Sequence, residues 1–234
     1  MRTDEDFARE LDAADALSAA RESFSIPENT VYMLGNSLGL MTKASAKSVA
    51  RVMDEWMDMG IGGWLGGNPP WFWLAERVGE AAAPLVGASP DEVICTGTTT
   101  YNIHSLIGSF FRPEGKRDRI LVTSLEFPTD IYALKSQLSL RGLDWKTHLV
   151  LVGGDEDGIL DEDGIIARMT EETALVSLSS VLFRSGQLLD MERLTAEAHS
   201  RGIMIGFDCS HSAGAVNHRL DDWDVDFAVW CGYK

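Results

Sequence analysis

Asp208 closes the apolar run Ile203-Met-Ile-Gly-Phe207, and twenty-six residues later Lys234 follows a second run that begins at Asp226-Phe-Ala-Val and ends Gly-Tyr233-Lys234. An acid and an amine that leave two buried strands can serve a heterocyclic aldehyde. The amine holds the carbonyl carbon as a Schiff base, and the carboxylate keeps the ring nitrogen protonated so that the ring absorbs electrons. That pair suits pyridoxal phosphate (PLP). Each residue alone also reads as a helix cap or a surface charge, so the pair takes its meaning from its neighbours.

Four further groups fall where those neighbours belong. Gly97-Thr98-Thr99-Thr100 opens a helix whose apolar face is Ile103, Leu106, Ile107, Phe110 and Phe111. Unpaired N–H groups of a first turn, with hydroxyls beside them, make a phosphate site. A plain N-cap also explains one threonine, though less well three in a row. Glu126-Phe-Pro-Thr129-Asp130 has the same two readings: Phe127 is either core or a cover for a flat ring, and Thr129 and Asp130 are either caps or ring contacts. Ser179 stands at a strand end, as an idle hydroxyl or a second phosphate donor. His211, three residues past Asp208, either lines the same site or is an ordinary buried histidine, and His104 reads as structural.

These residues need a frame. The chain predicts a first helix over 4–23, a short strand in Val31–Leu34, and a helix after Thr42 whose Val49, Val52, Met53, Trp56 and Met57 share a face packed on a core. A loop rich in Gly, Pro and Trp spans 60–70, with Trp56, Trp71 and Trp73 as core or interface residues. Helices over 74–85, 102–111, 129–140, 161–169 and 190–200 then alternate with strands over 93–96, 119–123, 146–152, 174–179, 203–207 and 227–231. Short apolar runs between amphipathic helices predict an α/β fold, a mainly parallel sheet sandwiched by helices. In such sheets ligands sit beyond the carboxyl ends of the strands, where the candidate residues fall.

Bulk properties narrow the classes. A formal charge of −16 repels nucleic acid phosphates and anionic lipid, and no apolar run approaches the roughly 20 residues of a membrane helix, so neither partner is expected. The charged N-terminus lacks the apolar stretch of a secretory signal, and Cys95, Cys209 and Cys231 are expected as reduced, buried thiols in a cytoplasmic protein. No Cys/His spacing suggests a metal, and the acidic turns 155–158 and 161–164 lack the closing ligand of a calcium loop.

With Leu34-Gly-Asn-Ser-Leu-Gly-Leu40, Tyr101-Asn-Ile-His104, Glu126-Phe-Pro-Thr-Asp130, Gly206-Phe-Asp-Cys-Ser-His211 and the run from Asp222 to Lys234 in order, the chain resembles kynureninase. That family is a branch of the fold-type I PLP enzymes. The resemblance implies hydrolysis of the Cβ–Cγ bond of kynurenine or 3-hydroxykynurenine in tryptophan catabolism, by a homodimer. It implies Thr99, Thr100 and Ser179 facing the phosphate, Phe127 stacked on the ring, Thr129 among the cofactor-binding residues, Asp130 near the ring oxygen, and Asp208 on the ring nitrogen. His211 would line the site, Lys234 would carry the aldehyde, and Tyr233 would contact phosphate and donate a proton. Asn36, Ser37 and Trp64 would approach the amino-acid substrate. Relatives continue past the lysine, so the chain reads as an N-terminal arm (1–41) and an incomplete PLP-binding large domain (42–234), with the C-terminal small domain missing. Gly63-Trp64 stands where some relatives carry a histidine, which leaves the choice of kynurenine open. Two rivals stand beside this: a cysteine desulfurase-like enzyme, which would want a histidine in place of Phe127, and a non-catalytic truncated domain.

Overall fold

The computed structural model describes residues 2–234, which form two compact units: residues 2–73 together with Tyr233 and Lys234, and Leu74–Gly232.

In the first unit, α1 (Glu5–Ala14) begins where the Asp4 carboxylate accepts the Phe7 N–H at 2.9 Å. It stops where Asp15 accepts the Leu17 N–H, a local bond that competes with the helix. A 3₁₀ segment, Ser18–Ser23, follows, so the single helix expected over 4–23 is two pieces. The expected strand at Val31–Leu34 is irregular chain running into a turn, tied by the Tyr32 hydroxyl donating to the Leu38 carbonyl at 2.6 Å. α2 (Lys43–Met59) starts at Thr42, whose hydroxyl accepts the Ser45 N–H. Its apolar stripe forms as expected but packs on no core: Val49, Met53, Trp56 and Met57 are exposed, and no residue of α2 is buried. Glu55 on the same helix reaches forward, accepting the Trp71 indole N–H at 2.9 Å and the Asn68 N–H at 3.2 Å. Those bonds bind the loop that contains α3 (Gly63–Gly66) to α2. The compact unit extends to Trp73.

The second unit holds α4 (Leu74–Val86), α5 (Thr99–Phe110), β1 (Arg119–Thr123), α6 (Pro128–Leu140), α7 (Trp145–His148), β2 (Leu149–Val152), α8 (Glu162–Ala167), β3 (Thr173–Ser179), α9 (Met191–Ser200), β4 (Met204–Asp208) and β5 (Phe227–Val229). Two expected strands differ. Val93–Thr96 joins no sheet, because the Cys95 N–H is satisfied by the Ala75 carbonyl of α4. Residues 145–148 form a helical turn, since Asp144 caps it by accepting the Lys146 N–H. The five strands are all parallel in the order β2-β1-β3-β4-β5.

Side chains alternate across this sheet with period two. Leu121, Val176, Leu178, Ile205 and Phe207 face a core completed by Ile165 of α8 and by Leu194 and Ala198 of α9. Ile120, Val122, Leu175 and Val229 face the other core, completed by Ile103 and Ile107 of α5 and by Leu134 and Leu138 of α6. Burial on both faces is why the strands read as near-continuous apolar runs. Chain order reverses between β1 and β3, because β1 leads outward to β2 while β3 leads to β4 and β5 on the other side. Such a reversal opens a crevice at the carboxyl ends of the strands.

Candidate functional site

Asp208 is the last residue of β4, and its backbone carbonyl accepts from both the Ser180 N–H at 2.9 Å and the Ser180 hydroxyl at 3.1 Å. Its carboxylate turns back to accept the Ser210 N–H at 2.7 Å, which fixes its direction. Gly206, two residues earlier, allows this strand to pass under β5: a Cβ there would lie 2.1 Å from the Phe227 ring.

The loop from β1 into α6 supplies two more carboxyls. Asp130, in the first turn of α6, is buried close enough to Asp208 for the two carboxyls to interact electrostatically. Burial first, and the Asp208 charge second, hold Asp130 far above the usual carboxylate range. Glu126 is 5% exposed and accepts the Thr123 hydroxyl at 2.7 Å, the Ser179 N–H at 2.7 Å and the Ser179 hydroxyl. Desolvation pushes its pKa up to about 7 despite those donors. All three carboxyls line one cavity, whose other walls include Val122, Leu178, Phe207 and Phe227.

The remaining expected residues fall as follows. Thr98 is the cap of α5, accepting the Tyr101 N–H, which leaves Thr99 and Thr100 half-buried in the first turn. Gly97, at φ +53°, turns the chain into that helix. Phe127 presents a half-exposed ring at the entrance to α6, edge-on to Phe183 at 5.4 Å, and Thr129 is exposed beside Asp130. Ser179, at the end of β3, gives both its N–H and its hydroxyl to Glu126. His211 is half-buried in the turn after Asp208, and His104 is held by Gln137 at 2.9 Å.

Tyr233 and Lys234 belong to the first unit. There the Tyr233 carbonyl accepts the Gly39 N–H at 2.6 Å, and a Cβ on Gly39 would lie 3.4 Å from the Lys234 backbone. The turn that carries Asn36 and Ser37, closed by the Leu34 carbonyl accepting from Ser37 at 2.9 Å, therefore runs directly into a segment that touches the lysine. Trp64 is exposed in α3, its ring edge-on to Trp71. Of the cysteines, Cys209 is buried with its thiol pushed up to about 12, Cys231 is half-buried, and Cys95 is exposed against expectation, because residues 93–96 lie outside the sheet; all three are free.

Glu126 is the residue that sequence reasoning left without a role. Its signal was a single carboxyl inside an otherwise apolar stretch, Leu125-Glu-Phe127, at a strand-to-helix junction.

The group implied by the sequence can be tested against this geometry. Three carboxyls in mostly apolar surroundings hold an excess of negative charge that a protonated ring nitrogen would balance. A threonine-rich helix start suits a phosphate, and an exposed ring at a helix entrance suits a flat heterocycle. The residues fit pyridoxal phosphate.

Comparison with known proteins agrees. Kynureninase from Shouchella clausii is 55% identical over 98% of this chain, and the chain spans about half (54%) of that relative's length. An apo cysteine desulfurase from Thermococcus onnurineus superposes with a TM-score of 0.70 at 20% identity, covering 92% of this chain and 53% of the other. A C-DES mutant with glycine covalently linked to its PLP cofactor gives 0.73 at 17% identity, over 91% and 55%. Those two likenesses speak for the fold. The aminotransferase class-V profile matches residues 74–234, and with that match over most of its length the chain belongs to the aminotransferase class-V family.

Proposed function

We propose that this chain carries the cofactor-binding machinery of a hydrolase that splits the Cβ–Cγ bond of L-kynurenine or 3-hydroxykynurenine, giving L-alanine and anthranilate or 3-hydroxyanthranilate. The observation behind it is the Asp208 carboxylate, aimed by Ser210 at a strand end into a cavity that Asp130 and Glu126 also line. The substrate class follows the name of the Shouchella clausii relative.

Bound at the strand ends, pyridoxal phosphate supplies an aldehyde carbon and an electron-accepting ring. Asp208 would pair with the ring nitrogen, Asp130 would bond near the ring oxygen with Thr129 beside it, Phe127 would stack on the ring, and Thr99, Thr100 and the start of α5 would hold the phosphate. Lys234 would hold the aldehyde carbon through its amine and would serve as the base for the substrate's α-proton. Tyr233 would lie at the phosphate and supply a proton to the substrate carbonyl, and His211 would line the site. Asn36, Ser37 and Trp64 approach the substrate. A cysteine desulfurase reading shares the fold but lacks a histidine at the Phe127 position.

The stripe of Val49, Met53, Trp56 and Met57 on α2 supports a homodimer, since a contiguous apolar face of this kind marks an interaction surface. Three free thiols support a cytoplasmic setting. The test is direct: PLP added to the protein should give an imine absorbance band that Lys234→Ala removes, and kynurenine should yield fluorescent anthranilate. A band that survives Lys234→Ala, or a protein that takes up PLP yet leaves kynurenine intact, defeats the reading.

A further inference from the structure

The ladder between β1 and β3 ends at the pair Leu121↔Val176, so beyond it the two strands run to their carboxyl ends without paired residues. This is the place where strand order reverses. The Glu126 carboxyl fills the gap, one oxygen accepting from Thr123 at the end of β1 and the other from the N–H and hydroxyl of Ser179 at the end of β3. Ser179 is in turn the register partner of Asp208 on β4.

We propose that Glu126 is a positioning residue for Asp208: it ties the diverging ends of β1 and β3 and, through Ser179, sets the place and the negative field from which Asp208 meets the ring nitrogen. This role rests on the cofactor reading above. A carboxyl is a costly way to fill a gap that an apolar side chain would fill with less desolvation, so what sets Glu126 apart from such a filler is its charge. The titratable groups facing it are Asp208 from β4 and Asp130 from α6, both acidic, whereas β1 and β3 offer it hydroxyls and one N–H. A cation arriving at Asp208 therefore makes ionised Glu126 easier to hold. By reciprocity, ionised Glu126 tightens the hold on that cation.

The experiment uses PLP labelled with ¹⁵N in the ring, bound to the protein, with the nitrogen resonance followed against pH and the cofactor dissociation constant measured separately. Glu126→Gln keeps the size of the side chain and removes its charge. The pH at which the ring nitrogen gives up its proton should fall by about one unit, and the dissociation constant should rise about tenfold. Glu126→Asp, which keeps the charge, should recover much of the nitrogen shift. A Glu126→Gln protein with the parent's titration and dissociation constant overturns the proposal. If Glu126→Gln fails to fold, Thr123→Val decides, because it preserves shape and touches no ligand: the dissociation constant should rise about threefold, and no change overturns the proposal. Asp208→Asn separates the two levels. If it also leaves the nitrogen resonance unmoved, the cofactor reading itself fails; if it moves the resonance and Glu126→Gln does not, only the positioning role falls.

Discussion

Residues 2–73 and residues 74–232 carry similar apolar side chains and dispose of them in opposite ways. In the second stretch they fill two cores, one on each face of a parallel sheet. In the first, no hydrophobic side chain is buried among the described residues, and α2 turns Trp56 and Met57 outward. Stability follows burial, so the second unit has the means to hold a fixed geometry and the first depends on a cover. The three carboxyls lie in the well-packed unit, where a small displacement would matter. The lysine tail and the turn bearing Asn36 and Ser37 belong to the other.

The contrast can be attacked from several sides. If kynurenine is cleaved as proposed, Asp208→Asn, in the second unit, should lower its turnover by about three orders of magnitude in steady-state assays, a loss of roughly 4 kcal/mol of transition-state stabilisation. A loss under tenfold would show that the carboxyl cluster is not where the chemistry is governed. Leu194→Ala, in a core, should cost about 3 kcal/mol in urea unfolding, whereas Met53→Ala on α2 should cost under about 0.5 kcal/mol. Equal costs would mean that the stripe is covered.

Acidity probes the same cluster. A carboxyl held above its ordinary 4.5, as Glu126 is at about 7, folds with a proton bound. Its contribution is fully present below pH 4.5 and is lost as pH rises through 7, so the cofactor-free protein should lose about 3 kcal/mol across that window. Glu126→Gln should flatten the slope in melting curves. His218, buried without a hydrogen-bond partner and lowered from 6.5 by desolvation, acts with the opposite sign, since its contribution is present above pH 6.5 and is lost as pH falls below it. The smallest effect belongs to Trp56→Ser. It should leave the melting temperature of the isolated chain within a degree or so while weakening self-association in sedimentation.

Much of this was legible in the sequence, and the failures have a common cause. β1 was readable to the residue because both its faces are buried, which makes it a continuous apolar run, and Asp208 was placed at the end of β4 by the same logic. Residues 93–96 look like a strand for the same reason. Whether a run joins a sheet depends on which carbonyl its N–H groups meet, and Ala75 is a distant partner that local pattern cannot reveal. The stripe on α2 was visible as periodicity, but periodicity does not say what lies opposite. The bond from Ser179 to Glu126 was not legible, because the two lie fifty-three positions apart. A lone carboxyl in an apolar stretch gains meaning only from the groups that converge on it.

The bond from Gly39 to Tyr233 bears on how the protein is made. A ribosome adding some 5–20 residues each second needs roughly ten to forty seconds to travel from the first of those positions to the second. Throughout that interval the early segment lacks the partner that completes it, and the outward Trp and Met side chains of α2 pass the wait in water. Chaperone capture of nascent chains should therefore concentrate on this segment and end only once Tyr233 has cleared the exit tunnel.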